Sequence, residues 1–403
     1  MKNRYIITVI TSILMVVLIA GIQKIILEKK ESRFVRVGAL YVGDSSNTYT
    51  GNFIKAQKAI EKKFGNQVEF IPMFNVPEGN CENSLQTLVD KKCDIIFTTS
   101  YGYGDMAKEF AKKNPNIQFC HATGDNANIE PFVPNYHTFM GRIYEGRYTA
   151  GVVAGLKLQE LIDKGQIKKE DALIGYVGAF PYAEVISGFT AFFLGVQSVV
   201  PSSKMLVKYT NSWTDFVKEK NCTKELIDQG CIVISQHSDT AGPATACEET
   251  DSTKNVFLVS YNQSMADVAP TTYLIGSKIN WTPYMVCAVE AVLNNKSIEK
   301  NVDAVFFKND ACAGFDKNWV EILELNTIVA ADGTKEKIEK IKKLISKGEI
   351  DVFKGDFIGV NPKNPLDTIN LNVPYKENSF SSAPSFSYIL KDKIIEQWKV
   401  CFY

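Results

Sequence analysis

The sequence predicts an α/β protein of two lobes, each a parallel β-sheet flanked by helices. The first indication is an alternation of short β-branched or aromatic segments with longer amphipathic segments, which is typical of βαβ units. The second is that this alternation occurs in two successive series, separated by the long helical pattern "GRYTAGVVAGLKLQELIDKG". The third is the length of 403 residues, which exceeds what one hydrophobic core comfortably fills.

The strands of each series are short and apolar. Those of the first series are "RVGALYV", "VEFIPMF", "CDIIFTT" and "IQFCHAT". Those of the second are "ALIGYVGAF", "MLVKYTN", "CIVISQH" and "VFLVSYN". Helical patterns such as "NFIKAQKAIEKKFG" lie between them, and a further helix is predicted to open near Ala183.

The later segments "TTYLIGSKIN" and "AVFFKND" are expected to return the chain to the first lobe and back. We therefore expect a first lobe over residues 34–142 with a return segment at about 263–303. The second lobe is expected over 143–262 with about 304–403, which includes the polar, serine-rich loop "VPYKENSFSSAPSFSY". Several crossings between lobes make a hinge with a cleft between them.

The N-terminal residues 1–33 predict a membrane anchor and a short linker. Lys2 and Arg4 precede an uncharged stretch from Tyr5 to Gln23, which is long enough either to span a bilayer or to act as an export signal. We expect an uncleaved anchor, with the bulk of the chain outside the cytoplasm. Lysine plus arginine and aspartate plus glutamate each number 45, so no net charge attracts nucleic acid.

The nine cysteines do not indicate a metal site, because no C-x-x-C motif or histidine at ligand spacing accompanies them. In an oxidising compartment Cys81 could pair with Cys93, or Cys222 with Cys231. The sequence leaves this connectivity open.

The strongest enzyme-like signal is "SYGYGDMA". Gly102, Gly104 and Ala107 form G-x-G-x-x-A after a strand, and Asp125 follows about twenty residues on, as in a dinucleotide-binding fold. An NAD-dependent oxidoreductase is therefore one alternative. The other interpretation of this motif is a helix start that glycine permits. His237 and Asp239 could belong to a catalytic relay, but no G-x-S-x-G nucleophile motif accompanies them, and Asp239 could equally cap a helix.

Aromatic and amide side chains gather at or just beyond the ends of the predicted strands. They are Tyr49, Tyr101, Phe180, Trp213, Asn262 and Trp281. Flat rings offer stacking faces, while Ser100, Asp239 and Asn262 offer directed hydrogen bonds. This combination predicts a binding cleft for a flat polar molecule, with no catalytic residue, cofactor or metal.

Several long motifs resemble the basic membrane protein family in the family's order. They are "YEGRYTAGVVAG", "IGYVGAFPYAEVISGFTAFFLGVQSVVP", "SWTDFVKEK" followed by "LIDQGCIVISQHSDT", and "VSYNQSM" followed by "SKINWTPY". Members of this family are substrate-binding proteins of ABC importers, related to a purine nucleoside receptor. The resemblance runs from about Val35 to the C-terminus and implies a periplasmic-binding-protein fold of the first type.

The family's binding residues carry over to loops of the first lobe at five positions. Tyr49 takes the place of an aromatic residue in the first strand–helix loop. Ser100 and Tyr101 match the loop after the third strand, and Trp281 and Tyr284 match a later aromatic motif. The resemblance therefore implies that all five contact the ligand.

Five further positions carry over to the second lobe. Phe180 and Glu184 match the "AFP…E" turn, where Phe180 is expected to stack on the ligand and its following proline to fix the turn. Trp213 and Asp215 match an "SW-x-D" motif, although Ser212 and Asp215 also fit a helix capping box. Asp239 matches the acid after "QH".

The chain departs from the family pattern in two ways. Asn262 stands where nucleoside-binding relatives tend to have an aspartate, and the usual aspartate–glycine–aromatic pattern is blurred around Asn47. Ile22 stands where a lipoprotein would carry its lipidated cysteine, so a helix is expected to replace the lipid anchor.

Together, the resemblance and the N-terminal stretch predict a monomeric, membrane-anchored extracytoplasmic receptor. It would trap a purine nucleoside or purine base by lobe closure and deliver it to an ABC permease and ATPase. A sensor ectodomain that reports closure to a partner protein is the alternative from a different class, and a sugar-binding relative of the same fold is a further one.

Overall fold

The computed structural model describes residues 33–397 together with Met15. The predicted anchor, apart from Met15, therefore lies outside the described residues. In the part of the chain that is described, no helix is both long and apolar enough to cross a bilayer.

Seventeen strands form within residues 33–397. They are β1 (Val35–Leu40), β2 (Val68–Met73), β3 (Ile95–Thr98), β4 (Gln118–Ala122), β5 (Tyr136–Gly141), β6 (Leu173–Gly178), β7 (Lys204–Tyr209), β8 (Val233–His237), β9 (Phe257–Tyr261), β10 (Tyr273–Ile279), β11 (Val305–Phe307), β12 (Asp310–Ala313), β13 (Val320–Ile322), β14 (Ile358–Asn361), β15 (Asn364–Asn370), β16 (Ile389–Leu390) and β17 (Ile394–Gln397).

Ten α-helices accompany them in the same residues. They are α1 (Thr48–Phe64), α2 (Glu82–Asp90), α3 (Gly104–Lys113), α4 (Tyr144–Asp163), α5 (Ala183–Gln197), α6 (Phe216–Asp228), α7 (Gly242–Glu248), α8 (Thr282–Leu293), α9 (Ile298–Asn301) and α10 (Thr334–Ser346). The helix predicted to open near Ala183 begins at that residue.

The strands form two large sheets of seven strands and one small sheet of three. The first has the order β11-β12-β5-β4-β3-β1-β2, and the second has the order β13-β10-β9-β8-β6-β7-β17. Within each large sheet every pair is parallel except the outermost pair, β11 with β12 and β10 with β13. The predicted α/β class, with two parallel sheets flanked by helices, is confirmed.

The later strands join the sheets opposite to those expected. Strand β10, which lies in the expected return segment, pairs with β9 in the second sheet, and β12 pairs with β5 in the first. Helix α8 of the same return segment nevertheless packs against the first sheet's helix α1. The prediction of the lobe to which β10 and β12 belong was therefore wrong. Strand pairing depends on distant partners, which a local apolar pattern does not specify.

Helices α4 and α5 pack closely because glycines line their contact. A Cβ atom at Gly151 would lie 1.9 Å from the carbonyl oxygen of Phe192, and one at Gly195 would lie 2.2 Å from that of Tyr148. Only glycine permits backbones to approach so closely. The contact fixes α5, whose N-terminal turn reaches the cleft.

Neither expected disulfide forms. Cys81, Cys93 and Cys231 are free buried thiols, whereas Cys222 takes part in a disulfide bond. Burial raises the pKa of Cys93 and of Cys231 to about 12, so both stay protonated at neutral pH.

Candidate ligand-binding site

An inner cavity of about 40 Å³ lies where the carboxyl ends of the two parallel sheets face each other. Its lining residues are Val42, Tyr49, Ser100, Tyr101, Thr123, Glu184, Trp213, His237, Asp239 and Tyr261. The first five lie in loops and helix starts next to the first sheet, and the last five lie at strand ends, loops and helix starts of the second. Side chains at the carboxyl ends of parallel strands thus converge on one site, as in other open α/β sheets.

An outer cavity of about 440 Å³ adjoins the inner one. The two share Tyr101, Thr123, Glu184 and Trp213 in their linings. The outer cavity is also lined by residues of the turn before α5 and by residues near the C-terminus. These are Asp125, Pro181, Tyr182, Ala183, Ile186, Asn361, Pro362, Lys363, Ala383, Pro384 and Ser387.

Trp213 presents its ring to both cavities and rests on other aromatic rings. Its centroid lies 5.5 Å from that of Phe180 in an edge contact and 6.2 Å from that of Tyr182. Phe180 itself stacks on Tyr182 at 5.1 Å and lines neither of the two cavities. The rings at this turn that face the cleft are therefore Tyr182 and Trp213, and Phe180 supports Trp213 from behind.

Tyr49 contributes an aromatic face from the first lobe. It occupies the first turn of α1, which Asn47 caps by accepting a hydrogen bond of 2.7 Å from the amide of Thr50. The hydroxyl of Tyr49 donates to the carbonyl of Thr99 at 2.7 Å, and its ring meets that of Phe53 edge-on at 5.1 Å. These contacts fix the ring beside the inner cavity.

Trp281 and Tyr284, expected at the ligand, lie in the core of the first lobe. Trp281 stacks on Phe53 at 4.5 Å, and Tyr284 stacks on Phe139 at 3.8 Å. Both residues are almost fully buried and line neither cavity. Trp281 precedes α8, which packs against α1, so its ring supports the helix that carries Tyr49 and does not reach the cleft.

Asp215 also lies away from both cavities, because it caps α6. Its Oδ1 accepts a hydrogen bond of 3.0 Å from the amide of Lys218, and the ammonium of that lysine lies 3.0 Å from Oδ2. The capping interpretation of this motif is right, but Asp215 itself is the N-cap. The backbone hydrogen bond, followed by the Lys218 side chain, lowers the pKa of Asp215.

Asp239 is the buried carboxyl group of the inner cavity. Its Oδ1 accepts a hydrogen bond of 3.2 Å from the side-chain amide of Asn262, which is buried behind it. Burial, and then the nearby Glu219, raise the pKa of Asp239 well above its usual range. Glu219 is fully buried, and burial raises its pKa to about 7 although Ser238 and Thr240 donate hydrogen bonds to it. Burial at and beneath the floor of the cleft therefore opposes ionisation of both carboxyl groups.

A buried cation lies beneath the same floor. The guanidinium of Arg147 lies 3.6 Å from the centroid of the Tyr261 ring and donates to the carbonyl of Gln236 at 3.0 Å. The His237 ring lies 4.6 Å from that of Tyr261. Burial, and then Arg147, lower the pKa of His237 to about 4, so His237 is neutral at physiological pH. Tyr261 is thereby held against the inner cavity as a rigid wall.

The loop after β3 is held by Glu78 and does not form a dinucleotide site. The Glu78 carboxylate accepts hydrogen bonds from the hydroxyl of Ser100 at 2.6 Å and the amide of Gly102 at 2.8 Å. A pyrophosphate would need that amide and would be repelled by the carboxylate. The hydroxyl of Tyr101 donates to Asp125 at 3.1 Å, so both residues belong to the wall of the cleft.

The two lobes touch directly beside the inner cavity. The amide of Thr48 donates to the carbonyl of Asp239 at 3.4 Å, and the Asn52 side chain donates to the carbonyl of Asn262 at 3.0 Å. These hydrogen bonds join α1 of the first lobe to two strand ends of the second. Among residues 33–397, no group of three or more histidine, cysteine, aspartate or glutamate side chains could hold a metal ion.

The structure brings together six of the eleven residues expected at the ligand, namely Tyr49, Ser100, Tyr101, Glu184, Trp213 and Asp239. Asn262 stands behind Asp239. Two lining residues were not predicted from the sequence. Tyr261 ends a strand like the predicted residues, and Thr123 follows β4 with a left-handed backbone (φ 62°). The C-terminal residues of the outer cavity were not predicted either, because no local pattern marks them.

The sequence of this chain matches one protein family and two named relatives. Residues 29–354 match the model of the Bmp family, described as ABC transporter substrate-binding protein PnrA-like. A protein of Brucella abortus named purine-binding protein BAB2_0673 is 31% identical over 80% of this chain and 83% of its own length. A Haloferax volcanii protein, named a putative ABC transporter glucose-binding protein TsgA13, is 29% identical over 70% of this chain and 64% of its own length.

A crystal structure of an ABC transporter solute-binding protein from Aeropyrum pernix shares the fold. It has a TM-score of 0.62 at 14% identity, over 78% of this chain and 92% of its own. Proteins of the matched family bind substrates for ABC transporters outside the cytoplasm and are not enzymes. The family match covers most of the chain, and this chain therefore belongs to the Bmp family of PnrA-like ABC transporter substrate-binding proteins.

Proposed function

We propose that this protein captures a purine nucleoside or purine base and delivers it to the permease and ATPase of an ABC importer. The observation that carries the proposal is that Tyr49 and Trp213, from opposite lobes, line the same cavity as the buried carboxyl of Asp239. Two aromatic faces suit a flat ring system, and a buried carboxyl group suits the polar edge of a purine.

The related protein named for purine binding supports this ligand class. A sugar is the second candidate, motivated by the relative named for glucose binding, of which the chain spans less than two thirds. Membership of a transporter family favours delivery to a permease over the alternative of a sensor ectodomain.

The mechanism is lobe closure without chemistry. Two lobes, built on residues 34–142 and 143–262, would close about the hinge so that Tyr49 and Trp213 enclose the ligand. A ligand shifts such an equilibrium only through contacts that differ between the open and closed states. Contacts to rings from both lobes meet this condition, because they exist together only when the cleft is closed.

We infer that the uncharged stretch Tyr5–Gln23 anchors the protein as a monomer at the outer face of the membrane. The protein should remain in the membrane fraction after washing at high pH, with its N-terminus intact by mass spectrometry. Recovery of a shortened, water-soluble form would contradict the anchor. Light scattering of the detergent-solubilised chain should give one protein copy per particle.

Thermal unfolding of the full chain in the presence of candidate ligands tests the ligand class. A ligand at 100 times its Kd stabilises the folded state by about 2.7 kcal/mol, which is a readily measured rise in Tm. We expect this rise with purines and not with glucose. Trp213→Ala should reduce it strongly, whereas Phe34→Ala, which removes an exposed ring that lines neither cavity, should not.

A further inference from the structure

The C-terminal residues 356–390 lie beyond the family match, which ends at residue 354. They contain the three-stranded sheet β15-β14-β16 and the serine-rich loop of residues 373–388. We call this loop the strap. Its contacts extend to both lobes and to the outer cavity.

The strap is fixed to the first lobe through Asp310, at the start of β12. The amide of Ser382 donates to Oδ2 of Asp310 at 2.7 Å, and the hydroxyl of Ser381 donates to the same oxygen at 3.1 Å. The other oxygen of Asp310 accepts from the hydroxyl of Thr138 on β5 at 2.8 Å. Asp310 is almost fully buried on the second strand from the edge of the first sheet, so this attachment belongs to the first lobe.

The strap is fixed to the second lobe through Glu377. The hydroxyl of Ser187, on helix α5, donates to Glu377 at 2.8 Å. The same carboxylate accepts hydrogen bonds from the amide of Ser385 at 2.6 Å and the amide of Phe386 at 3.1 Å. Phe386 is fully buried and stacks on Phe353 at 4.6 Å. The strap is therefore held in place by hydrogen bonds and by the packing of Phe386.

Between these two attachments the strap borders the outer cavity. Ala383, Pro384 and Ser387 line one side, next to the β14–β15 turn with Asn361 and Lys363. Thus three parts of the chain wall the outer cavity, namely the first lobe, the second lobe and the C-terminal residues.

The inner cavity is too small to hold a whole nucleoside. A volume of 40 Å³ accommodates about three water molecules, since each needs roughly 10–15 Å³. A ligand whose ring lies against Tyr49 and Trp213 must therefore extend into the outer cavity, where the strap would meet it.

We propose that the strap is a third part of the ligand site, which contacts the substituent that projects from a bound purine. This inference rests on the proposed function. Carboxylates at Asp125 and Glu184 and the side chains of Asn361 and Ser387 line the outer cavity, with Lys363 as its single lysine. Hydrogen-bond acceptors in this cavity therefore outnumber positive charges. Such a lining suits a neutral substituent with hydroxyl donors, such as a sugar, and repels a negatively charged phosphate.

The test compares two tryptophan substitutions on the same loop of the full chain. Ser387→Trp places a large ring in the outer cavity, whereas Ser379→Trp places it on the exposed outer side of the strap. Calorimetry with inosine, adenosine and guanosine and with their free bases measures both variants. Circular dichroism and Tm establish that each variant is folded.

We expect Ser387→Trp to weaken nucleoside binding at least tenfold and free-base binding less than threefold, with Ser379→Trp unchanged for both. Nucleoside binding by folded Ser387→Trp within threefold of wild type would overturn the role of the strap while leaving purine capture intact. Wild-type binding of glucose but of no purine would overturn the proposed function instead. In that case a tenfold loss of glucose affinity in Ser387→Trp alone would still support the strap, and no loss would overturn it.

Discussion

The side-chain amide of Asn262 donates a hydrogen bond of 3.2 Å to Oδ1 of Asp239, and the backbone carbonyl of Asn262 accepts one of 3.0 Å from Asn52 of the opposite lobe. Asn262 holds a left-handed backbone (φ 64°), which asparagine tolerates better than most residues. One residue thus fixes the buried carboxyl group of the cleft and joins the two lobes behind it.

Asn262→Asp should weaken both the fold and ligand binding. The substitution replaces the amide donor with a second carboxyl group beside Asp239, where two negative charges cannot both be accommodated. We expect a loss of about 1–3 kcal/mol in the free energy of unfolding, larger at pH 8 than at pH 5. Denaturant unfolding at both pH values measures it. Asn211→Asp is the matched control, because Asn211 is also left-handed (φ 54°) but exposed, and an equal loss there would contradict the account.

Glu219→Gln should change how stability depends on pH. Burial raises the pKa of Glu219 from 4.5 to about 7, so the folded state binds a proton more tightly than the unfolded state. The resulting stabilisation is fully present below pH 4.5 and is lost as pH rises to about 7, by up to about 3 kcal/mol. The free energy of unfolding of the variant minus that of wild type should therefore increase between pH 5 and pH 8.

Subtracting the free energy of unfolding of wild type from that of the variant separates the effect of Glu219 from the opposite effect of His237. The pKa of His237 is lowered to about 4, so its contribution runs the other way and is lost as pH falls from 6.5 to 4. It is present in both proteins and cancels in the subtraction. The exposed Glu336→Gln serves as control, and a flat difference for Glu219→Gln would show that this carboxyl is not held protonated.

Gly151→Ala should destabilise the protein, whereas Gly51→Ala should not. A Cβ at Gly151 would lie 1.9 Å from the Phe192 carbonyl, so helices α4 and α5 would have to separate. We expect a loss of about 1–3 kcal/mol from overpacking. Gly51 lies within α1 with nothing within 4 Å of the added atom, so alanine there should stabilise by about 0.5–1 kcal/mol. Thermal unfolding distinguishes the two, and similar effects at both sites would contradict the close packing.

Glu78→Ala should loosen the wall of the cleft that carries Ser100 and Tyr101. The carboxylate accepts hydrogen bonds from the Ser100 hydroxyl at 2.6 Å and the Gly102 amide at 2.8 Å, and alanine removes both. We expect a loss of about 1–2 kcal/mol in stability and a purine affinity lowered threefold or more. Glu109→Ala, on the exposed face of α3, is the control. Unchanged affinity in Glu78→Ala would mean that this loop does not shape the site.

The sequence is informative where one physical rule acts locally. The alternation of apolar segments predicts both parallel sheets, and the rule that ligands bind at strand ends brings Tyr49, Trp213 and Asp239 to one cavity. The same rule cannot tell a ring that faces the cleft from one that faces the core. Trp281 lies just beyond a strand like Trp213, but helix α8 turns it inward against Phe53.

Features that depend on distant parts of the chain cannot be predicted from local sequence patterns. The pairing of β12 with β5 joins residues 172 positions apart, as the hydrogen bond from Thr138 to Asp310 illustrates. The strap is held beside the cleft by residues far from it in sequence. Asp310 accepts a hydrogen bond from the strap, and Ser187 donates one to it. The serine-rich sequence of the strap by itself predicts only an ordinary polar loop.

Purine capture is best tested by calorimetric titration of the full chain, unfolded and refolded to release retained ligand. The titrants are adenine, guanine, hypoxanthine, their nucleosides and glucose. We expect one-to-one binding of at least one purine, with an affinity that Trp213→Ala lowers at least tenfold. Heat with glucose and none with any purine would contradict purine capture and leave a receptor of the same fold with a different ligand.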